Sequence, residues 1–165
     1  MLSQAARGLT RWSYSPEFNI AIFALLLNLL WEFLQVPFFN DMPSTDHWRG
    51  VKTCARASAG DAVIMLLAYC VAAVPSRDRH WLCRPRAVHL LLFVGAGLVI
   101  TVAIERMALA GVWIGSWSYS DRMVVIPVVQ VGLSPVLQWL VLPPIALWFA
   151  RRQIGAAQPA DNGQH

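Results

Sequence analysis

Charge is what this sequence has least of: only 13% of its 165 residues are charged, against 57% hydrophobic. The mean hydropathy is +0.51. A chain so poor in charge cannot clothe a soluble globule, so it belongs to the membrane class. Cysteine is sparse as well. Cys54, Cys70 and Cys83 are too scattered for a disulfide framework, and no CxxC spacing points to zinc or redox chemistry. There is no Gly-rich phosphate loop, no Ser-His-Asp spacing, no low-complexity segment and no internal repeat. His47 beside Asp46 reads as a solvated loop. Nothing in the pattern calls for a metal or a cofactor.

What is present is long apolar sequence. Hydrophobic runs at about residues 18–39, 58–75, 88–109 and 123–150 each approach or exceed the roughly 20 residues that cross a bilayer. These predict an all-α integral membrane protein: a four-transmembrane-helix bundle in one domain, residues 1–154, followed by a polar, disordered tail, 155–165. The first run is too long for a signal core, carries Glu32 and lacks a cleavage site, so it is expected to stay in the mature protein. The net charge of +4 comes from Lys and Arg beside the spans, which points to the lipid bilayer rather than nucleic acid. Eight of these residues (Arg7, Arg11, Arg77, Arg79, Arg84, Arg86, Arg151, Arg152) fall on one side and five (Arg49, Lys52, Arg56, Arg106, Arg122) on the other. That asymmetry predicts a cell-membrane protein with both termini cytoplasmic and the basic loop 76–86 held at the acidic lipid surface.

Against this apolar background three acids stand out: Glu32 in "NLLWEFLQ", Asp61 in "SAGDAVIMLLAY" and Glu105 in "AIERMALAGVW". An ionised carboxylate at the centre of a membrane helix costs at least ~2.5 kcal/mol, so these acids need partners inside the protein. At 1.5 Å per residue, Glu32 lies about 10 Å from the outer end of span 1, Asp61 about 5 Å from the outer start of span 2 and Glu105 about 6 Å from the outer end of span 3. All three therefore share one leaflet. Asn28, Glu32 and Gln35 recur at i, i+4 and i+7, on one face of span 1. Gln130 and Gln138 from span 4 and Arg106 from span 3 are the expected amide and cationic partners. Polar residues of membrane helices often serve as structural glue, worth on the order of 1 kcal/mol each. Glue is usually Ser, Thr, Asn or Gln, whereas a layer of acids suits proton donors, proton carriers or cation ligands.

The final third, "GVWIGSWSYSDRMVVIPVVQVGLSPVLQWLVLPP" (111–144), mixes an aromatic belt with helix breakers. Trp113, Trp117 and Tyr119 are placed at the outer interface, the usual home of amphipathic rings. Ser134-Pro135 after Gly132 looks like an N-cap followed by a proline at N1, so the last span is expected to be kinked or broken near Gly132–Pro135. Such a break leaves free backbone groups at membrane depth, which must face protein or a polar cavity.

The order of an acid, "GVW", W-x-Y and then G-x-x-P-x-x-Q (Gly132, Pro135, Gln138) resembles the lycopene cyclase domain of small integral membrane carotenoid cyclases. "NLLWEFLQ" resembles the Trp-Glu segment of the related membrane terpene cyclases. The likeness covers about 40 residues at the carboxyl end and eight near the start. Where those cyclases carry paired carboxylates after the proline, this chain has Val136, Leu137 and Gln138. The resemblance implies a terpenoid or carotenoid cyclase, an isomerase whose buried carboxylic acid protonates a hydrophobic isoprenoid that enters from lipid. On that reading Glu32, Asp61 and Glu105 are the catalytic acids. Asn28, Trp31, Gln35, Trp113, Trp117, Tyr119, Gln130, Gln138 and Trp139 are the substrate-binding walls.

Two other classes stay open from the residues alone. The acids could carry protons or a cation through a transporter or binding protein, most simply as a homo-oligomer. The polar layer could instead dock an accessory subunit into a larger membrane complex. The classes differ in what the layer borders: an apolar cavity, a continuous polar path or an exposed helix face.

Overall fold

A computed structural model describes residues 15–40, 42–112 and 115–157. Four helices carry the fold: α1 (Pro16–Gln35), α2 (His47–Ala73), α3 (Ala87–Leu109) and α4 (Leu133–Ala157). Each is long and apolar enough to cross a membrane. α1 packs on α2 and α4, α2 on α3, and α3 on α4, closing a four-sided bundle. The protein is thus an all-α four-helix membrane bundle.

Each helix starts where local chemistry allows it. Ser15 caps α1 and Pro16 occupies its first turn, where a missing N–H costs nothing. Asp46 caps α2 by accepting the Arg49 N–H at 3.3 Å. The residue expected to sit beside a solvated His47 is therefore the first link of the helix. α2 begins 11 residues before the expected start of span 2, since Arg49, Lys52 and Arg56 interrupt the hydropathy but not the helix. Asp61 consequently lies about 21 Å along α2 from its first residue.

The last span is corrected in a similar way. Residues 123–132 form no helical piece. They form a hairpin in which β1 (Val125–Ile126) pairs antiparallel with β2 (Val131–Gly132), and α4 starts at Leu133. "VVIPVVQVG" is apolar enough to read as membrane, but its β-branched residues favour a strand and Pro127 breaks it. The expected break thus takes the form of a hairpin delivering the chain into α4. Pro143 and Pro144 lie within α4 without ending it. Beyond Gly155 the helix runs two residues further, into the expected tail, and 158–165 lie outside the described residues.

The packing inverts the soluble pattern. Leu26, Leu30, Leu34, Leu91 and Val99 are exposed, each more than half accessible, a surface suited to lipid. Small residues line the helix contacts: Ala24, Ala62, Ala68, Ala72, Ala146 and Ala150 are buried and let the backbones approach. At one end of the bundle the loop after α2 folds inward. Trp81 is buried and stacks on Tyr69 at 4.8 Å, with His89 and Phe93 against its other edges. The Tyr69 hydroxyl donates to the Arg79 carbonyl at 2.5 Å, and the Trp81 indole N–H donates to the Tyr69 carbonyl at 3.2 Å. The basic loop is therefore plugged into the core as well as presenting its arginines. The acids lie toward the opposite end.

Candidate functional site

α1 presents Asn28, Glu32 and Gln35 along one face, and α4 answers with Ser134 and Gln138 one turn apart. The Gln138 amide donates to Asn28 Oδ1 at 2.7 Å and to Asp61 Oδ2 at 2.8 Å, tying α4 to α1 and α2 in one step. It also lies within hydrogen-bonding reach of Glu32. Gln35 Nε2 donates to Glu32 Oε1 at 2.7 Å, while Gln35 Oε1 accepts the Ser134 hydroxyl at 2.9 Å. Ser134 in turn accepts the Trp31 indole N–H at 3.3 Å. Asn28 completes its own set by donating to the Ala24 carbonyl at 2.7 Å. Buried amides and hydroxyls are thus used up in holding the acids, as burial of polar groups requires.

Glu105 is held separately. Its Oε2 accepts both the Tyr119 hydroxyl at 2.5 Å and the Trp117 indole N–H at 3.1 Å. The same hydroxyl accepts the Gly132 N–H at 2.9 Å, so one phenol joins α3 to the start of α4. The approach is close: a Cβ at position 132 would stand 2.7 Å from the Met123 sulfur and 3.0 Å from the Tyr119 ring, so the methionine side chain would have to shift. Burial, then the neighbouring Glu105 carboxyl, pushes the Tyr119 phenol above its ordinary value, so it stays a donor. Phe39 pairs with Tyr119 as an isolated bridge, and Asn40 donates to the Tyr119 carbonyl at 2.8 Å, binding this segment to the end of α1.

Gln138 links Asp61 to α1 and Gln35 links Glu32 to α4, while Glu105 keeps its own two donors, Trp117 and Tyr119. Among the described residues, no three His, Cys, Asp or Glu side chains are grouped so as to hold a metal ion.

Next to this layer a cleft of about 290 Å³ opens between α1, the hairpin and α4. Trp31, Leu34 and Phe38 wall one side, Leu133 and Leu137 the other, and Met123 and Val124 close the top. Its polar groups are Gln35, Ser134 and Arg122. Leu34 and Leu137 are also exposed on the outer face of the bundle, so the cleft opens sideways.

The expected site residues therefore part company. Trp31 and Gln35 line the cleft; Gln138 holds Asp61 and is itself bonded to Asn28. Trp117 and Tyr119 serve Glu105. Trp139 is buried against Gly97 of α3, and Trp113 lies outside the described residues. Two expected partners are not in the layer. Gln130 sits in the hairpin turn at φ 54°, its amide taken by the Pro127 carbonyl at 2.7 Å, since this stretch is not helix. Arg106 points out and donates to the Val129 carbonyl at 3.2 Å, so no cation neutralises the acids from α3. Sequence reasoning missed Ser134 as a link, taking it for a cap, and missed Leu34, Phe38 and Leu137. Leu34 immediately precedes Gln35 at the end of α1, and Phe38 follows it by three residues in the short 3-10 turn Val36–Phe38.

No family model, curated protein or solved structure matches this chain.

Proposed function

We propose that this chain is a small membrane enzyme of the terpenoid or carotenoid cyclase kind, in which Glu32 protonates the end of a lipid-soluble isoprenoid seated in the cleft. The observation that carries the reading is the 2.7 Å hydrogen bond from Gln35, a residue of the cleft wall, to the Glu32 carboxyl. An acid one hydrogen bond away from an otherwise apolar and aromatic cleft is an arrangement suited to acid chemistry on hydrocarbon. Structural glue alone does not need it. The cleft lies at the lower edge of the range that encloses drug-sized ligands, so it takes one end of a long chain while the rest stays in lipid. Its sideways opening fits entry from the bilayer.

The chemistry balances without a co-reactant. A proton from Glu32 adds to a double bond, a neighbouring double bond attacks the carbocation to close a ring, and a proton then leaves to a carboxylate. The product is an isomer of the substrate. The Trp31 indole is the aromatic face available to the cation. The Glu32 carboxylate left by the first step is the acceptor nearest the cleft and is returned to its acid form by the proton it takes back, with Asp61 as a second acid or base. The resemblance of the "WEF", "WSY" and "GLSP" stretches to membrane cyclases points the same way. The membrane is the cell membrane with both termini cytoplasmic, supported by the eight-to-five distribution of Lys and Arg.

The test compares lipid extracts from cells with and without the gene, and then incubates the purified protein with the lipid that accumulates without it, in light and in heavy water. The expected product has the mass of its substrate and gains one deuteron in heavy water. Unchanged extracts, with proton flux that depends on Glu32, would favour the proton-handling alternative. That reading draws on the hydrogen-bonded run through Asp61, Gln138 and Asn28.

A further inference from the structure

Between Arg122 and Gln130 the chain runs through seven apolar residues, 123–129, most of them folded into the β1–β2 hairpin and its turn. A hairpin turn that faces water is ordinarily built from Gly, Asn, Asp or Ser. This one is Pro127, Val128 and Val129 before Gln130, and its side chains turn outward. Val128 is 92% accessible, and Val124, Val125 and Pro127 are exposed as well. The backbone of the turn is meanwhile relieved of any need for water at several points. Pro127 has no N–H to satisfy, and its carbonyl accepts the Gln130 side-chain amide at 2.7 Å. The Ile126 carbonyl accepts the Gln130 backbone N–H at 2.8 Å, and Arg106 of α3 donates to the Val129 carbonyl at 3.2 Å. Arg106 stands three residues before the end of α3, so the turn rests against the last turn of that helix instead of standing clear of the bundle. Val124 lines the cleft together with the exposed Leu34 and Leu137, which makes the hairpin's accessible apolar face continuous with the lipid-suited face of α1 and α4. Apolar side chains outside and satisfied carbonyls inside are what hydrocarbon demands of a segment that is not helical.

We propose that the hairpin is a lipid-inserted element, its turn at Val128 seated among the acyl chains of the leaflet that borders the cleft, with Asp121 and Arg122 left in water. The mouth of the cleft then opens within lipid. None of this rests on the enzymatic reading above, and it stands or falls without it.

The test uses the full-length protein in phosphatidylcholine vesicles, with Val128→Cys or, for comparison, Asp121→Cys as the single site for a bimane label. The native thiols are removed by Cys54→Ala, Cys70→Ser and Cys83→Ser. At position 128 the emission should lie to the blue of that at position 121. It should be quenched by phosphatidylcholine carrying a nitroxide on its acyl chain and lose little intensity to aqueous iodide, and at position 121 the order should reverse. Iodide quenching as strong at 128 as at 121 would overturn the proposal by placing the turn in water. Protection from both quenchers, with disulfide cross-linking between chains through position 128, would overturn it by showing that a second copy covers the turn. Val128→Asp in the otherwise unaltered protein gives a reading free of the label. It should lower the unfolding midpoint in vesicles, because it carries a charge into lipid, whereas a water-facing side chain so accessible could be exchanged with little effect. An unchanged midpoint would overturn the proposal as well.

Discussion

The Trp139 indole lies so close over Gly97 that a Cβ added there would fall 1.9 Å from the ring. This contact fixes how near α4 stands to α3, and Gln138, the next residue, owes its position among the acids to it. Gly97→Ala should force the two helices apart or push the indole off its rotamer. A loss of roughly 1–3 kcal/mol is expected. Thermal unfolding in detergent reads it, and the double variant with Trp139→Phe should recover much of the loss. An unchanged midpoint for Gly97→Ala would show that the close approach is not a constraint.

The contrast between Gly97 and the acids shows what sequence can carry. Four apolar runs and the Asn28, Glu32, Gln35 face are legible because bilayer thickness and helical periodicity leave few alternatives. The start of α2 is hidden because charge at Arg49, Lys52 and Arg56 ends a hydropathy window while Asp46 quietly caps a longer helix. The hairpin at 125–132 is hidden because short Val-rich runs look alike to hydropathy whether they form strand or helix. Arg106 is expected among the acids as a residue of span 3 beside Glu105, and Gln130 as a residue of the last span. Their true partners, the Val129 and Pro127 carbonyls, exist only once the hairpin has formed. The cleft is legible nowhere in the sequence, since α1, the hairpin and α4 each supply a wall of it.

Gln138 joins three helices through one amide. Gln138→Leu, of similar size, removes the donors to Asn28 and Asp61 and strands both acceptors. It should lower stability by about 1–2 kcal/mol, the upper end for polar contacts within membranes. Gln138→Glu keeps the shape and should cost at least as much, since it adds a fourth carboxyl to the layer. Chemical or thermal unfolding of the purified variants checks both, and a neutral Gln138→Leu would remove the amide from its place at the centre of the network.

Tyr119 carries a pH dependence of definite sign. Its phenol is raised in the folded protein, so the folded state keeps a proton that the unfolded state releases near the ordinary phenol value of about 10. Folded stability from this group is complete below that value and declines as pH rises through the folded value. Tyr119→Phe should lower stability by roughly 1–3 kcal/mol near neutral pH, by leaving the Gly132 N–H and one bond to Glu105 unmade. The variant should also lose part of the wild-type decline above pH 10. Parallel slopes in the two proteins would contradict a phenol raised by burial at Tyr119.

The orientation is open to a direct check. A reporter active only outside the cytoplasm, fused after Arg152, should be silent, and a cytoplasmic reporter at the same place should be active. The opposite pattern would move the acid layer to the inner leaflet and reverse the side from which the cleft is reached.

Glu32→Gln tests the central claim most directly, because it preserves the shape and most of the hydrogen bonding while removing the titrating proton. As a proton donor, Glu32 should yield a variant that inserts and unfolds within about 1 kcal/mol of wild type. The isomerised lipid product should nevertheless fall by a factor of 10² or more, the scale of losing a general acid. Asp61→Asn and Glu105→Gln should lower it too, without adding to the loss, if the three acids act as one unit. Full product formation by Glu32→Gln would contradict the account and leave Glu32 as a hydrogen-bonding strut between α1 and α4.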